Sequence, residues 1–384
     1  MKFKTGRTAG RALWAAAALA FLPPAAGWCW GPVGHEAVGI VAEARLEPQV
    51  QMAMTQILGA GVGLGQIADC ADVLRDADTD CAGVFDPPLR QDELTSHWHF
   101  VNIPLDAQVS QTPATAGIDQ YKDCDETASG PTAAAMQDSR ENCVRGQIQF
   151  AMQTLRAPAP APAPQASSAQ VQAQAASVLR QRQMALMFLV HLVADSHQPL
   201  HVTDDNDAGG NEEHVIFQGR RRSLHQVWDG VIGAQKAMNA QALAKLLEQD
   251  LSQLPQDEVA GWTPADLEAV INAGIGEGFG IAKNVIYPAY SAAKAASPDK
   301  RSVELGQDYQ DQMQPIAFRR LEQAAVRLAF LLNQSLGQNP DFTSPTAHPG
   351  AAAGVWRKHG RLTLKKPNVS GKTWDGRTPV LSGR

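Results

Sequence analysis

The 384-residue sequence predicts a mainly α protein, built as a single multi-helix domain. Three observations carry that expectation. Apolar residues recur at helical spacing in segment after segment. One of these segments is almost wholly apolar from Met184 to Val193, as a helix buried on every side must be. With 44% hydrophobic and 19% charged residues and no evident repeat, the chain can bury one large core and is neither fibrous nor wholly disordered.

The first 22 residues pass from a basic start (Lys2, Lys4, Arg7, Arg11) into the apolar run ALWAAAALAFL and then Pro-Pro and small residues, a secretory signal pattern. That run is too short to span a bilayer, and no later segment reaches ~18 uninterrupted apolar residues, so no membrane span is expected. The expected location is the periplasm or the medium. Residues 25 to 27 offer a peptidase site after Gly27, which would leave five cysteines. Cleavage after Cys29 leaves Cys70, Cys81, Cys124 and Cys143, and an even count suits an oxidising compartment. The favoured signal peptide is therefore residues 1–29, and Trp30 becomes the mature terminus. Four cysteines allow three pairings; the short-range one, Cys70 with Cys81 and Cys124 with Cys143, is preferred because it closes two otherwise floppy loops.

The main domain is read as residues 30–335. Helical spacing runs through 35–58, and an Asp- and Cys-rich loop is expected at 69–86. Helical patterns return at 141–155 and 171–197, separated by RAPAPAPAPQASSAQ, whose Ala/Pro-rich part (157–170) reads as an extended, solvated surface insertion. Further patterns at 234–249, 264–285 and 313–335 complete the domain. Residues 336–384 are read as a basic, disordered tail. Net charge is −6 overall, with +4 in residues 1–29 and +6 in residues 341–384, so residues 30–340 hold −16. Such a body repels polyanions, and one that handles phosphate esters needs local positive charge such as bound cations.

The densest chemistry is HLVADSHQPLH, residues 191–201. His191 and Asp195 are four apart and share one helix face, positioned to grip one ion; Pro199 is expected to end the helix and turn His201 elsewhere. A lone buried histidine is ordinarily a hydrogen-bonded core residue, but three histidines and an aspartate in eleven positions reverse that reading. His225 and Asp229 in LHQVWD repeat the spacing of four. Asp72 in DCADVLR and His99 in HWHFVNIP are expected to add ligands from loops. Imidazole with carboxylate is a zinc ligand set.

Taken together, WGPVGH (30–35), ADVLR (71–75), WHF (98–100), HxxxDxHQPLH (191–201), GGN (209–211) and LHxxWD (224–229) resemble the S1/P1 nuclease family of zinc-dependent single-strand nucleases and 3′-nucleotidases. The resemblance covers roughly residues 30–335 and implies the helical fold shared with bacterial zinc phospholipase C. It also implies three zinc ions. One takes Asp72, His99, His191 and Asp195; a close second takes the amino and carbonyl groups of Trp30, His35 and the bridging Asp195; the third takes His201, His225 and Asp229. A free α-amino group titrates at about 7.7–8.0, so a metal can displace its proton near neutral pH.

The implied substrates are single-stranded DNA or RNA and 3′-nucleotides, with products carrying 5′-phosphates, and the implied protein is a monomer. Asp72 and Asp195 are catalytic through the metals, and Arg75 matches the arginine beside the phosphate. Phe100 and Asn211 match positions that stack and hydrogen-bond a base; stacking needs an unstacked strand. His97, His197 and His214 fall off the pattern and read as polar packing. Two departures stand out: VNIPLDAQ after WHF lacks the family's acidic and basic pair, and Ser223 replaces the usual Asn before LH. The rival readings are a phospholipase C-like phosphodiesterase and a non-enzymatic periplasmic zinc-binding protein.

Overall fold

A computed structural model describes residues 30–77, 81, 93–107, 143–230, 238–299 and 303–343. The protein is mostly helical. The apolar run at 35–58 is two helices, α1 (Gly31–Glu43) and α2 (Pro48–Leu58), because Pro48 fits only a first helical turn and forces a break before it. After the short α3 (Leu64–Ile67) comes α4 (Cys70–Ala77), so part of the expected Asp- and Cys-rich loop is helical. Residues Glu93–His99 form a 3-10 turn. A Cβ on Gly39 of α1 would lie 2.8 Å from the Gly65 nitrogen, so only glycine lets α3 pack this closely on α1.

The central pair is α5 (Val144–Arg156) and α6 (Ser168–Asp195), which pack together. Ser167 starts α6 with a reciprocal cap: its Oγ accepts from the Gln170 N–H at 3.3 Å, and its own N–H donates to Gln170 Oε1 at 2.8 Å. The exposed Ala-Pro stretch joins the two helices, tied down where the Ala159 N–H donates to Asp341 at 2.8 Å. From Ala185 to Asp195 every residue of α6 is buried. The helix ends at Asp195, four residues before Pro199, and Pro199–His201 is a separate 3-10 turn.

A three-stranded sheet follows that the sequence did not announce: β1 (His214–Phe217) pairs antiparallel with β2 (Arg220–Ser223) and parallel with β3 (Val303–Leu305). The short α7 (Leu224–Asp229) starts directly from β2, capped by Ser223, whose Oγ accepts from the Gln226 N–H at 3.0 Å. Four helices then build the outer wall: α8 (Ala240–Gln253), α9 (Gln256–Gly261), α10 (Leu267–Ile281) and α11 (Tyr287–Ala296), the last two joined by a π-helical turn at Ala282–Ile286. The 30-residue α12 (Gln307–Leu336) runs through the core, and α1 packs on α3, α8 and α12.

Order continues past the expected start of the tail. Asn339 is buried, donating to the Leu155 and Ala157 carbonyls at 2.7 and 3.0 Å, and Pro340–Thr343 is a short α13. The rest of the expected tail, from residue 344 on, lies outside the described residues. No helix among the described residues is long and apolar enough to cross a membrane.

Candidate metal centre

Histidine and aspartate side chains from six parts of the chain meet at the C-terminal end of α6. His191 and Asp195 lie one turn apart on its buried face. Asp72 reaches them from α4 and His99 from the 3-10 turn, so both come from helical elements rather than the expected loops. His99 Nδ1 is 3.0 Å from Asp195 Oδ2, 3.1 Å from His191 Nε2 and 3.5 Å from Asp72 Oδ1. His191 Nε2 is 3.2 Å from Asp195 Oδ2 and 3.5 Å from Asp72 Oδ1. A tetrahedron of ligands at ~2.0–2.1 Å from zinc has edges of about 3.3–3.4 Å. His99, His191 and Asp195 therefore fit one such ion, with Asp72 Oδ1 3.5 Å from both imidazole donors; Asp72 also groups with His35 and His191.

His35, on α1, stacks on His191 with ring centroids 3.9 Å apart and planes within 6°. Its Nε2 lies 3.4 Å from Asp195 Oδ1, the oxygen facing away from the first group. The ring is wholly buried, yet neither nitrogen makes a hydrogen bond, and Asp195 Oδ1 lacks one too. Buried polar atoms left this way cost free energy unless a cation takes them. Trp30 is buried beside them: its indole N–H donates to the Ala194 carbonyl at 2.8 Å, and Gly31 abuts the Asp229 carbonyl, 3.5 Å from where a Cβ would stand. Trp30 also takes φ 20°, a conformation rare for a side-chain-bearing residue.

The third group is His201, His225 and Asp229. His201 Nδ1–H donates to the His99 carbonyl at 2.9 Å, and His225 Nδ1–H donates to the Gly209 carbonyl at 2.7 Å. Each Nε2 is left as a lone pair, and the two face one another at 3.2 Å. His225 Nε2 is 3.5 Å from Asp229 Oδ2, which has no hydrogen-bond partner. Two such nitrogens beside a carboxylate take up either a proton between them or a metal cation. His191 is oriented in the same way, its Nδ1–H donating to the Ala68 carbonyl at 2.7 Å.

Electrostatics agree with the donor geometry. Burial lowers the pKa of His35, His99 and His225. Burial opposes protonation of His191 as well, but Asp195 and Asp72 outweigh it and raise that pKa well above the usual value; His201 is raised likewise by Asp229 and Asp195. Against burial, His191, His35 and His99 hold Asp195 well below the carboxylate range. Nearby Asp69, missed in the sequence reading, is pushed up to about 7, chiefly by burial.

The remaining predicted residues are placed as follows. Arg75 lies on α4 three residues after Asp72; its side chain is outside the described residues. Phe100 is half-buried, edge-on to His97 at 5.8 Å. Asn211 donates to the Ala208 carbonyl at 3.0 Å, and Ser223 Oγ donates to its Oδ1 at 3.4 Å, so the Asn-to-Ser departure keeps a polar contact to the GGN loop. Cys70 and Cys81 form a disulfide that anchors the start of α4. Cys143 is disulfide-bonded as well; Cys124 lies outside the described residues. Gln198 was also missed: buried within the HQPLH motif, it donates to Asp229 Oδ1 at 2.8 Å and fixes that carboxylate. Its signal was a polar residue amid buried neighbours.

A helical protein with three adjoining groups of imidazoles and carboxylates has the ligand chemistry of the zinc hydrolases. Residues 30–337 match the family model described as S1/P1 Nuclease, and the chain belongs to that family. It is similar to Endonuclease 4 of Arabidopsis thaliana, 28% identical over 328 residues that cover 81% of this chain and 91% of the relative. Nuclease S1 of Aspergillus oryzae is 28% identical over 203 residues, 52% of this chain and 53% of the relative. Nuclease P1 of Penicillium citrinum is 26% identical over 245 residues, 62% and 73% of the two chains. The protein is thus a nuclease, a hydrolase acting on nucleic acid, in a zinc-dependent family.

Proposed function

We propose that this chain is a secreted or periplasmic enzyme with three zinc ions that cleaves single-stranded DNA and RNA internally to 5′-phosphate products and removes 3′-phosphate from nucleotides. The observation that carries the reading is the convergence of donor atoms: His99, His191 and Asp195 around one point with Asp72 beside them, His35 joined to them through Asp195, and a third group whose Nε2 atoms face each other. Bound zinc supplies Lewis acidity there, polarising a phosphoryl oxygen and lowering the pKa of water towards ~7.

The chain's own residues do the positioning. Asp195 presents Oδ2 to His99 and His191 and Oδ1 to His35, which fixes the spacing of the first two groups. Main-chain carbonyls lock the imidazoles in orientation, and Gln198 locks Asp229. In this reading Phe100 and Asn211 hold a base, which favours unstacked strands, and Arg75 meets phosphate charge. In the same reading, removal of residues 1–29 frees the Trp30 amine, which with His35 and Asp195 makes up the second ligand set.

The test is hydrolysis of an end-labelled single-stranded oligonucleotide by protein beginning at Trp30, with and without a zinc chelator, mapping both product ends. Chelator-sensitive cleavage leaving 5′-phosphates is expected. Protein carrying one extra Ala before Trp30 should hold less zinc and turn over more slowly; equal zinc and equal turnover would remove Trp30 from the ligand set. Zinc-loaded protein that leaves nucleic acid intact but hydrolyses a phosphocholine ester would favour the phospholipase C-like reading, and zinc with no turnover on either would indicate a metal-binding protein.

A further inference from the structure

The β1–β2 ribbon carries a feature that the metal centre does not use. Arg220, Arg221 and Arg222 are consecutive and all exposed; their main chains pair with β1, and their guanidinium groups have no carboxylate or other hydrogen-bond partner among the described residues. Elsewhere Arg45, Arg145, Arg182, Arg319, Arg320 and Arg327 are each paired with an acid. In a body carrying −16, three adjacent unpaired guanidinium groups are a local reversal of sign.

The ribbon is also rigidly tied to the centre. Gln218 (φ 50°) and Gly219 (φ 71°) make the two-residue turn that suits a twisted hairpin. A Cβ on Gly219 would meet nothing within 4 Å, so the tip stands in open space, while Gln218 donates to Gln310 at 2.9 Å and anchors it. At the other end Ser223 caps α7, the His225 N–H donates to the Gly210 carbonyl at 3.2 Å, and His225 and Asp229 follow on that helix. At ~3.3 Å per strand residue, Arg220 to Ser223 spans about 10 Å. By alternation Arg221 shares a face with Ser223, whose Oγ meets Asn211.

We propose that the Arg220–Arg222 strand is a track for the sugar-phosphate backbone of a polynucleotide, holding phosphates beyond the one being hydrolysed; this rests on the nuclease reading above. Guanidinium groups match phosphate oxygens in a fork, and their charge recruits a polyanion that the acidic body repels. The competing explanation is that charged residues only guard β2, an edge strand, from pairing with another chain.

The experiment compares kcat/KM for a single-stranded oligonucleotide of about 20 nucleotides with that for a dinucleotide, between about 50 and 200 mM salt. It uses full zinc-loaded enzyme, wild type and the triple variant Arg220→Gln, Arg221→Gln, Arg222→Gln. Three contacts at ~0.7 each should make the slope of log(kcat/KM) against log[salt] shallower by about 2 for the oligonucleotide in the variant. The oligonucleotide-to-dinucleotide ratio should fall at low salt, and replacement of all three by Lys should restore it. An unchanged slope and ratio in the Gln variant would overturn the track and leave the edge guard. Failure of wild type on both substrates would instead overturn the nuclease reading.

Discussion

At the scale of single residues, what separates a ligand histidine from a packing one is where each nitrogen points. His197 sits two residues from Asp195 and is just as buried, yet its Nδ1–H donates to the Val193 carbonyl at 2.7 Å and its Nε2 accepts from Arg327 at 3.0 Å. Burial, with Arg320 and Arg327 close by, holds its pKa well below the usual value, so it is a neutral core group. His201 and His225 spend one nitrogen on a carbonyl and leave the other bare. Gln198 belongs to the same logic, because its amide fixes Asp229. Gln198→Ala should weaken zinc at the third group by about 10–100-fold, the usual range for such supporting contacts. Chelator titration with metal analysis checks this: one ion should leave at lower chelator concentration, and an unaltered release profile would show that Asp229 needs no support. Spacing made His191, Asp195, His225 and Asp229 legible as pairs in the sequence. The grouping of His35 with them was not legible from spacing, because it depends on α1 stacking against α6, and Gln198 was hidden because an amide carries no ligand signature.

Among elements, the clasp between α10 and α12 is the most consequential for stability. Arg327 donates to both Glu277 oxygens at 2.7 and 2.8 Å, Arg320 joins the same carboxylate, and Arg320 also holds the His197 carbonyl at 3.0 Å. The clasp thereby braces the turn just after Asp195. Burial alone would raise the Glu277 pKa, but Arg327 and Arg320 outweigh it and lower it below the ordinary 4.5. A depressed carboxylate stabilises fully above its unfolded pKa, and that contribution is lost as pH falls through the folded value. Glu277→Gln leaves two buried guanidinium groups without their acid and should cost about 3 kcal/mol near neutral pH. Urea midpoints of wild type and variant should differ most near pH 7 and approach one another as pH falls below 4.5 through the folded value; a gap that stays constant as pH falls would show that the carboxylate charge is not what stabilises. The long helices of this clasp were legible because apolar periodicity over many residues is hard to counterfeit. The strands were not: RRRS and VEL are too short to show alternation, and VEL pairs with a strand more than 80 residues earlier in the chain. The helical start of the Asp- and Cys-rich segment was hidden for a similar reason, since eight residues carry barely two turns of pattern.

For the whole molecule, the proposed ligands would make a metal-loaded centre a cross-link. They come from α1, α4, the Glu93–His99 turn, α6, the Pro199–His201 turn and α7, elements spread from His35 to Asp229. Asp72 also has a covalent staple nearby, through Cys70–Cys81. Ions that bind the folded chain and not the unfolded one stabilise it by mass action, about 4 kcal/mol at a thousandfold excess over Kd. Chelation should therefore lower Tm on the order of 10 °C. The size of that fall should depend on pH in a definite direction. Without metal, His191 and His201 have folded pKa values raised above 6.5, so each adds stability to the metal-free protein below about pH 6.5, and this is lost as pH rises through the folded value. Zinc must displace those same protons, so its apparent affinity weakens by about tenfold per pH unit for each proton released. These are two views of one competition between proton and metal, which widens the gap between zinc-loaded and chelated protein as pH rises. Calorimetric scans of the two forms at about pH 5.5 and pH 8 should show the larger Tm difference at the higher pH. A difference that is equal at both, or larger in acid, would mean that cation and proton do not compete for the same imidazoles.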